Sequence, residues 1–124
     1  MKRLTRQMLT EYGISVITDK EGHHSIVRDN FIRGRRQNVV LTPQNKPHSF
    51  VCFRHQGKRI TLQVSRVIYA WFNSEVPDGY FVDHLDKDYE NTNFKNLRLI
   101  TPTLNYEKRK KAAYKNWGID LSRN

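Results

Sequence analysis

Within eight residues, 83-DHLDKDYE-90, the chain sets Asp83, Asp86, Asp88 and Glu90 around His84, although its formal net charge is +10. Asn96 follows His84 by twelve residues, and Asn105 follows Asn96 by nine. A carboxylate oxygen and an amide oxygen form a hard-oxygen pair suited to Mg²⁺, with waters and a phosphate completing the shell. A histidine beside them can take a proton from water near neutral pH. Acids on a cationic surface would repel a polyanion, and a bound cation reverses that sign.

The flanking sequence must position these groups. YFVDH reads as a short strand that delivers Asp83 and His84 to its end, and LDKDYENTNFKN as a polar loop. LRLI is a second strand with Asn96 at its start, and TPTLNYEKRKKAAYK a helix with Thr101 as cap and Pro102 at its first position. If the strands pair and the helix crosses them, Asp83 and Asn105 face one point and His84 takes the other strand face. Asn96 then bonds across the loop to backbone groups or to the imidazole. Hydrolysis of a phosphodiester needs an activated water, neutralisation of the charge building on the phosphate, and help for the leaving 3′ oxygen. His84 supplies the first, and one divalent ion, Mg²⁺ or Mn²⁺, the other two. Asp86 and Asp88 offer further ligand oxygens, but read first as loop residues that turn the chain or accept hydrogen bonds locally. A lone Asp-His pair is ordinarily a solvated turn, so the added asparagines carry the reading.

Upstream, SFVCFR and RITLQV alternate about the turn HQGK, which predicts a β-hairpin with Gly57 in its turn. Cys52, the one cysteine, is expected to be a buried strand residue. VSRVIYAWFN carries Val64, Val67, Ile68 and Trp71 at amphipathic helix spacing, with Ser65 able to cap it. Towards the N-terminus, LTRQMLTEYG reads as a short helix from Thr5 ended by Gly13, ISVIT as a strand and DKEGHHS as a turn. His23 and His24 are expected to be solvated, since neighbours on a strand face opposite ways. NFIRGRRQN reads as a basic loop or short arm, and TPQNKPH as a linker. The expected organisation is a basic region at 1–48, a hairpin, helix and catalytic core at 49–115, and a tail at 116–124.

Twenty-two Lys and Arg against twelve acids, and a pI near 10.0, point to a polyanionic partner. No acid lies between Asp29 and Glu75, whereas soluble surfaces normally mix both signs. The hairpin 50–62 is the first candidate for reading a duplex, with Arg54, Lys58 and Arg59 at or beside its turn. Arg33, Arg35 and Arg36 are a second contact, and sequence-neutral phosphate binding stands as the alternative for both. Lys108, Arg109 and Lys110 complement the helix dipole and can grip phosphates flanking the cut. No apolar run approaches the roughly 20 residues that cross a bilayer. With a single cysteine and no signal peptide, a reduced, cytoplasmic protein is expected.

Read as they stand, DHLD at 83–86, NTN at 91–93, NLRLIT at 96–101 and LN at 104–105 resemble the HNH nuclease motif in its ββα-metal form. This form is found in small phage and intron-encoded homing endonucleases, and the resemblance spans about residues 50–110. It implies an α+β fold with a ββα-metal core preceded by a hairpin and helix, beside a small mixed N-terminal region. It implies His84 as general base, Asp83 and Asn105 as metal ligands, and Asn96 as the asparagine that braces the loop. Asn105 makes this an H-N-N variant, and Ser65 stands where such proteins often carry histidine. With so little sequence after the motif, no separate C-terminal DNA-binding module is expected. The expected function is metal-dependent cleavage of double-stranded DNA by a monomer, as a phage or homing nicking enzyme. The alternative is a non-catalytic DNA-binding protein that keeps the frame as a scaffold; a basic RNA-binding protein has only composition behind it.

Overall fold

The computed structural model describes residues 2–46, 48–104, 106, 107 and 110. Strand β1 (Leu4–Thr5) leads into helix α1 (Arg6–Glu11), where the Thr5 hydroxyl accepts the Met8 N–H at 3.0 Å. This N-cap meets one of the donors that a helix start leaves without a partner. Gly13, at φ 77°, turns the chain into β2 (Ile14–Thr18).

The segment expected to be a basic loop or arm is instead a β-hairpin. Strands β3 (His24–Ile32) and β4 (Arg35–Val40) pair antiparallel up to Ile32↔Arg35, and β2 completes a three-stranded sheet. Arg33 and Gly34 both take positive φ, 50° and 76°, the backbone of a two-residue turn whose twist suits a hairpin. Residues Arg35–Asn38 are exposed, so no apolar alternation marks the strand in the sequence.

The second hairpin is as expected: β5 (Phe50–His55) and β6 (Lys58–Gln63) flank a turn at Gln56 and Gly57, with φ 51° and 78°. Val51 and Phe53 fill the inner phase of β5, which turns Cys52 outward to a half-buried position rather than into the core. The alternating run FVCFR has two phases, and Phe53 is the bulkier tenant of the inner one.

Strand β6 runs directly into helix α2 (Val64–Asn73), whose cap is Gln63 with no side-chain bond. Ser65 therefore lies inside the first turn and does not cap; the Val64 N–H instead donates to the Ser49 carbonyl at 3.0 Å. Val64, Val67 and Ile68 are buried as the spacing predicts, while Trp71 is half-buried beneath the Arg6 guanidinium, 4.5 Å from its ring centroid. Ser74, at φ 78°, ends the helix, and β7 (Glu75–Val76) pairs with β1 through Leu4↔Val76.

Residues from both sides of the 41–49 linker share one core. Leu9, Val51, Val67, Ile68 and Val76 are fully buried, joined by Leu4, Ile14, Val16 and Ile26. Each such aliphatic side chain contributes about 1.5–3 kcal/mol on burial. Arg66, one of the residues in the acid-free stretch, is 7 % exposed, so it is part of the packing rather than of the basic surface. Its guanidinium donates to the carbonyls of Lys2 and Tyr80, tying the N-terminus to the turn that launches the next strand.

That strand, β8 (Phe81–His84), pairs antiparallel with β9 (Leu97–Ile100), and a 3₁₀ turn at Phe94–Asn96 leads into β9. Asn96 thus ends the turn, one residue before the strand that it was expected to start. Residues 102–104, 106, 107 and 110 are helical, and the Thr101 hydroxyl accepts the Leu104 N–H at 3.2 Å as the expected cap. The strand, loop, strand and helix order is that of the α+β reading.

Candidate active site

Asp83 and His84 end β8, and both are withdrawn from water, at 8 % and 6 % exposure. On a strand, adjacent residues face opposite ways, so β8 is buried on both sides at its end. Asp83 lies opposite Arg98 of β9, whose Nε and Nη2 both donate to Oδ2 at 3.1 Å. The pair fixes the carboxylate's direction, and a carboxylate can accept or ligate through both of its oxygens.

The Nε2 of His84 is buried and has no hydrogen-bond partner among the described residues. Burial holds the imidazole's pKa below the ordinary histidine value, with Asp83 opposing and His48 adding to the shift. The side chain is therefore neutral at pH 7 and able to accept a proton. Tyr89 meets it edge to face, with ring centroids 5.3 Å apart, and His48 lies 4.3 Å from Tyr89.

Asn96 bonds to the loop and not to the imidazole. Its Nδ2 donates to Asp86 Oδ1 and to the Asn91 carbonyl, each at 2.9 Å, and its Oδ1 accepts the Asp86 N–H at 3.1 Å. The backbone adds Leu85 N–H to Asn96 carbonyl at 2.8 Å. Asp86 also accepts from Asn91 Nδ2 and from the Asp88 N–H, both at 2.8 Å, and Asp88 accepts from the Glu90 N–H at 3.1 Å. These bonds, Asn91's first, hold the Asp86 carboxyl below the usual carboxylate range. Asp86 and Asp88 are thus struts of the loop, as their turn-like sequence suggested.

Asn105, Lys108 and Arg109 lie outside the described residues; Lys110 is helical and exposed. Arg33, Arg35 and Arg36 sit at the tip of the β3–β4 hairpin, where Arg35 and Arg36 are exposed and Arg36 lies 3.5 Å from Asp29. Arg54, Lys58 and Arg59 are exposed on the other hairpin, where Arg54 is paired directly with Arg59, and His55 with Lys58. Like charges directly opposite one another cost stability unless an anion joins them.

Three residues take places that the sequence does not foretell. Tyr89 and His48 stand beside His84, and only the fold brings the linker to the loop. His24 packs against Phe72 and Phe94, accepts the Phe94 N–H on Nε2 at 3.3 Å, and meets the Thr18 hydroxyl through Nδ1 at 2.8 Å. It joins the N-terminal sheet to the loop instead of being solvated. Among the described residues, the one group of three potential metal-ligating side chains is Asp19, Glu21 and His23, all exposed. Backbone N–H groups of Glu21 and His23 occupy Asp19, as in an ordinary turn.

Residues 62–105 match the HNH endonuclease family model HNH_3. The fold is similar to a solved structure described as "DNA binding and cleavage by the HNH homing endonuclease I-HmuI", with a TM-score of 0.58 and 21 % identity. The likeness covers 99 % of this chain and 63 % of that one, so the chain spans less than two thirds of its neighbour. No curated protein matches the chain. No helix among the described residues is long and apolar enough to cross a membrane. The matched residues 62–105 hold Asp83, His84 and Asn96.

Proposed function

We propose that the protein is a metal-dependent endonuclease that hydrolyses phosphodiester bonds of double-stranded DNA, with His84 as general base. The observation that carries the reading is a buried imidazole beside Asp83 whose Nε2 has no partner within the described residues. A buried donor or acceptor left unmatched costs stability, and a role in proton transfer accounts for its retention. The similar solved structure, whose description names DNA binding and cleavage, supports the same substrate.

Asp83, held in direction by Arg98, fits a hard divalent cation, and Asn105 would supply the second oxygen. Mg²⁺ or Mn²⁺ bound there would supply Lewis-acid help to the leaving 3′ oxygen and neutralise charge on the phosphate. His84 accepts the proton of the attacking water at an imidazole nitrogen. Asn96 keeps the 85–96 loop folded around that histidine. The arginines of both hairpins, Arg33, Arg35, Arg36, Arg54 and Arg59 with Lys58, bind duplex phosphates, which resolves the like-charge pairing of Arg54 and Arg59. Lys108, Arg109 and Lys110 add contacts beside the cut. One such site cuts one strand, so a monomer on DNA nicks.

The test is relaxation of supercoiled plasmid with Mg²⁺, beside EDTA. Nicked product that needs the metal supports the enzyme. Binding to duplex without cleavage in either Mg²⁺ or Mn²⁺ would leave the scaffold reading.

A further inference from the structure

We infer that Tyr89, backed by His48, is a positioning residue for the His84 imidazole. The inference rests on the nuclease reading above and adds two residues to it. A histidine ring turns broadly about its outer torsion, so something must fix the plane in which a base presents its nitrogen. No hydrogen bond at Nε2 does so among the described residues. The neighbouring aromatic contact does: the Tyr89 and His84 rings stand at 85° with centroids 5.3 Å apart. This is the edge-to-face geometry that aromatic pairs favour.

Tyr89 is itself 40 % exposed on a loop and would swing away if nothing held it. Two features hold it. His48, from the linker that follows the basic β3–β4 hairpin, lies with its ring 4.3 Å from Tyr89 at a 37° tilt. On either side of Tyr89 the backbone is tied by the Asp86 and Asp88 carboxylates, which accept the Asp88 and Glu90 N–H groups, and by Asn91 N–H to the Asp88 carbonyl at 3.0 Å. Asp86 and Asp88 of the 83–90 cluster thereby shape the loop that sets the aromatic wall. The stack also connects the linker to the base, so the two halves of the chain meet at the reacting group.

The experiment compares Tyr89→Ala, Tyr89→Phe and His48→Ala with the wild type in single-turnover nicking of supercoiled plasmid, beside affinity for a short duplex in EDTA. Misplacing a reacting group by about 1 Å can cost about 100-fold, so Tyr89→Ala should slow nicking by about 10–100-fold with affinity changed less than about twofold. Tyr89→Phe, which keeps the ring, should recover at least about half the rate, and His48→Ala should fall between. A wild-type rate in Tyr89→Ala overturns the inference, as does a Tyr89→Phe variant as slow as Tyr89→Ala. Nuclear Overhauser contacts between the His84 and Tyr89 rings, and between Tyr89 and His48, give a readout independent of cleavage. Their absence in the wild-type protein overturns the inference. A wild type that shows the contacts but does not cut overturns the nuclease reading, and with it a positioning role for the stack.

Discussion

Replacing Asn96 by alanine tests the brace on which the loop depends. The change deletes three hydrogen bonds, two donated by Nδ2 and one accepted by Oδ1. The half-buried bond to the Asn91 carbonyl contributes about 1 kcal/mol, and leaving that carbonyl without its donor raises the loss to about 2 kcal/mol. The two exposed bonds to Asp86 add little, because water replaces them. For a chain of 124 residues, a loss of about 2 kcal/mol lowers the melting temperature by about 6–10 °C. Cleavage should fall by at least about 10-fold even well below that temperature, since the loop carries the ring against His84. Asn96→Asp keeps the size and the accepting oxygen but turns the donor into an acceptor facing Asp86 Oδ1 and the Asn91 carbonyl. It should therefore destabilise at least as much at neutral pH. Calorimetry and a plasmid assay on the same preparations decide the matter. An alanine variant that melts within about 1 °C of the wild type and cuts at its rate refutes the brace.

Other outcomes follow from the same architecture. Arg98→Met removes the guanidinium that holds a buried carboxylate; because Arg98 is half-exposed, the cost should be about 1–3 kcal/mol in chemical denaturation. Burial holds the pKa of His24 below 6.5, with Asp19 opposing, so the unfolded chain binds more protons in that range. The stability from neutral His24 is then complete above 6.5 and is lost as pH falls through the lowered folded value. An NMR titration of His24 with a midpoint at or above 6.5 would contradict this. Replacing Arg33, Arg35 and Arg36 with alanine should reduce the salt dependence of duplex binding by about 0.9 for each phosphate no longer neutralised, about 2.7 in all. An unchanged slope would remove the β3–β4 tip from the interface.

Local chemistry made much of the fold legible. The Thr5 and Thr101 caps, Gly57 in its turn and the Val64, Val67, Ile68 stripe are each decided by near neighbours in sequence. The β3–β4 hairpin was not legible, because both faces of β4 are solvated over Arg35–Asn38 and leave no alternation to read. Ser65 misled because a cap is set by where the preceding strand ends, and β6 continues to Gln63. Cys52 misled because an alternating run does not say which phase is inside. In the site, the Asp83, His84 and Asn96 spacing was readable. The contacts of Tyr89 with His48, of His24 with Phe94 and of Asp83 with Arg98 were not, since each joins residues that only the tertiary fold brings together.

The central claim is that His84 takes the proton during cleavage of a phosphodiester, and His84→Ala tests it most directly. Nicking of supercoiled plasmid in Mg²⁺ should fall by about 10²–10⁴-fold in the variant, with duplex affinity and melting temperature near those of the wild type. EDTA should abolish nicking in the wild type. A His84→Ala protein that nicks at the wild-type rate, or a wild type that nicks equally well in EDTA, would contradict the account.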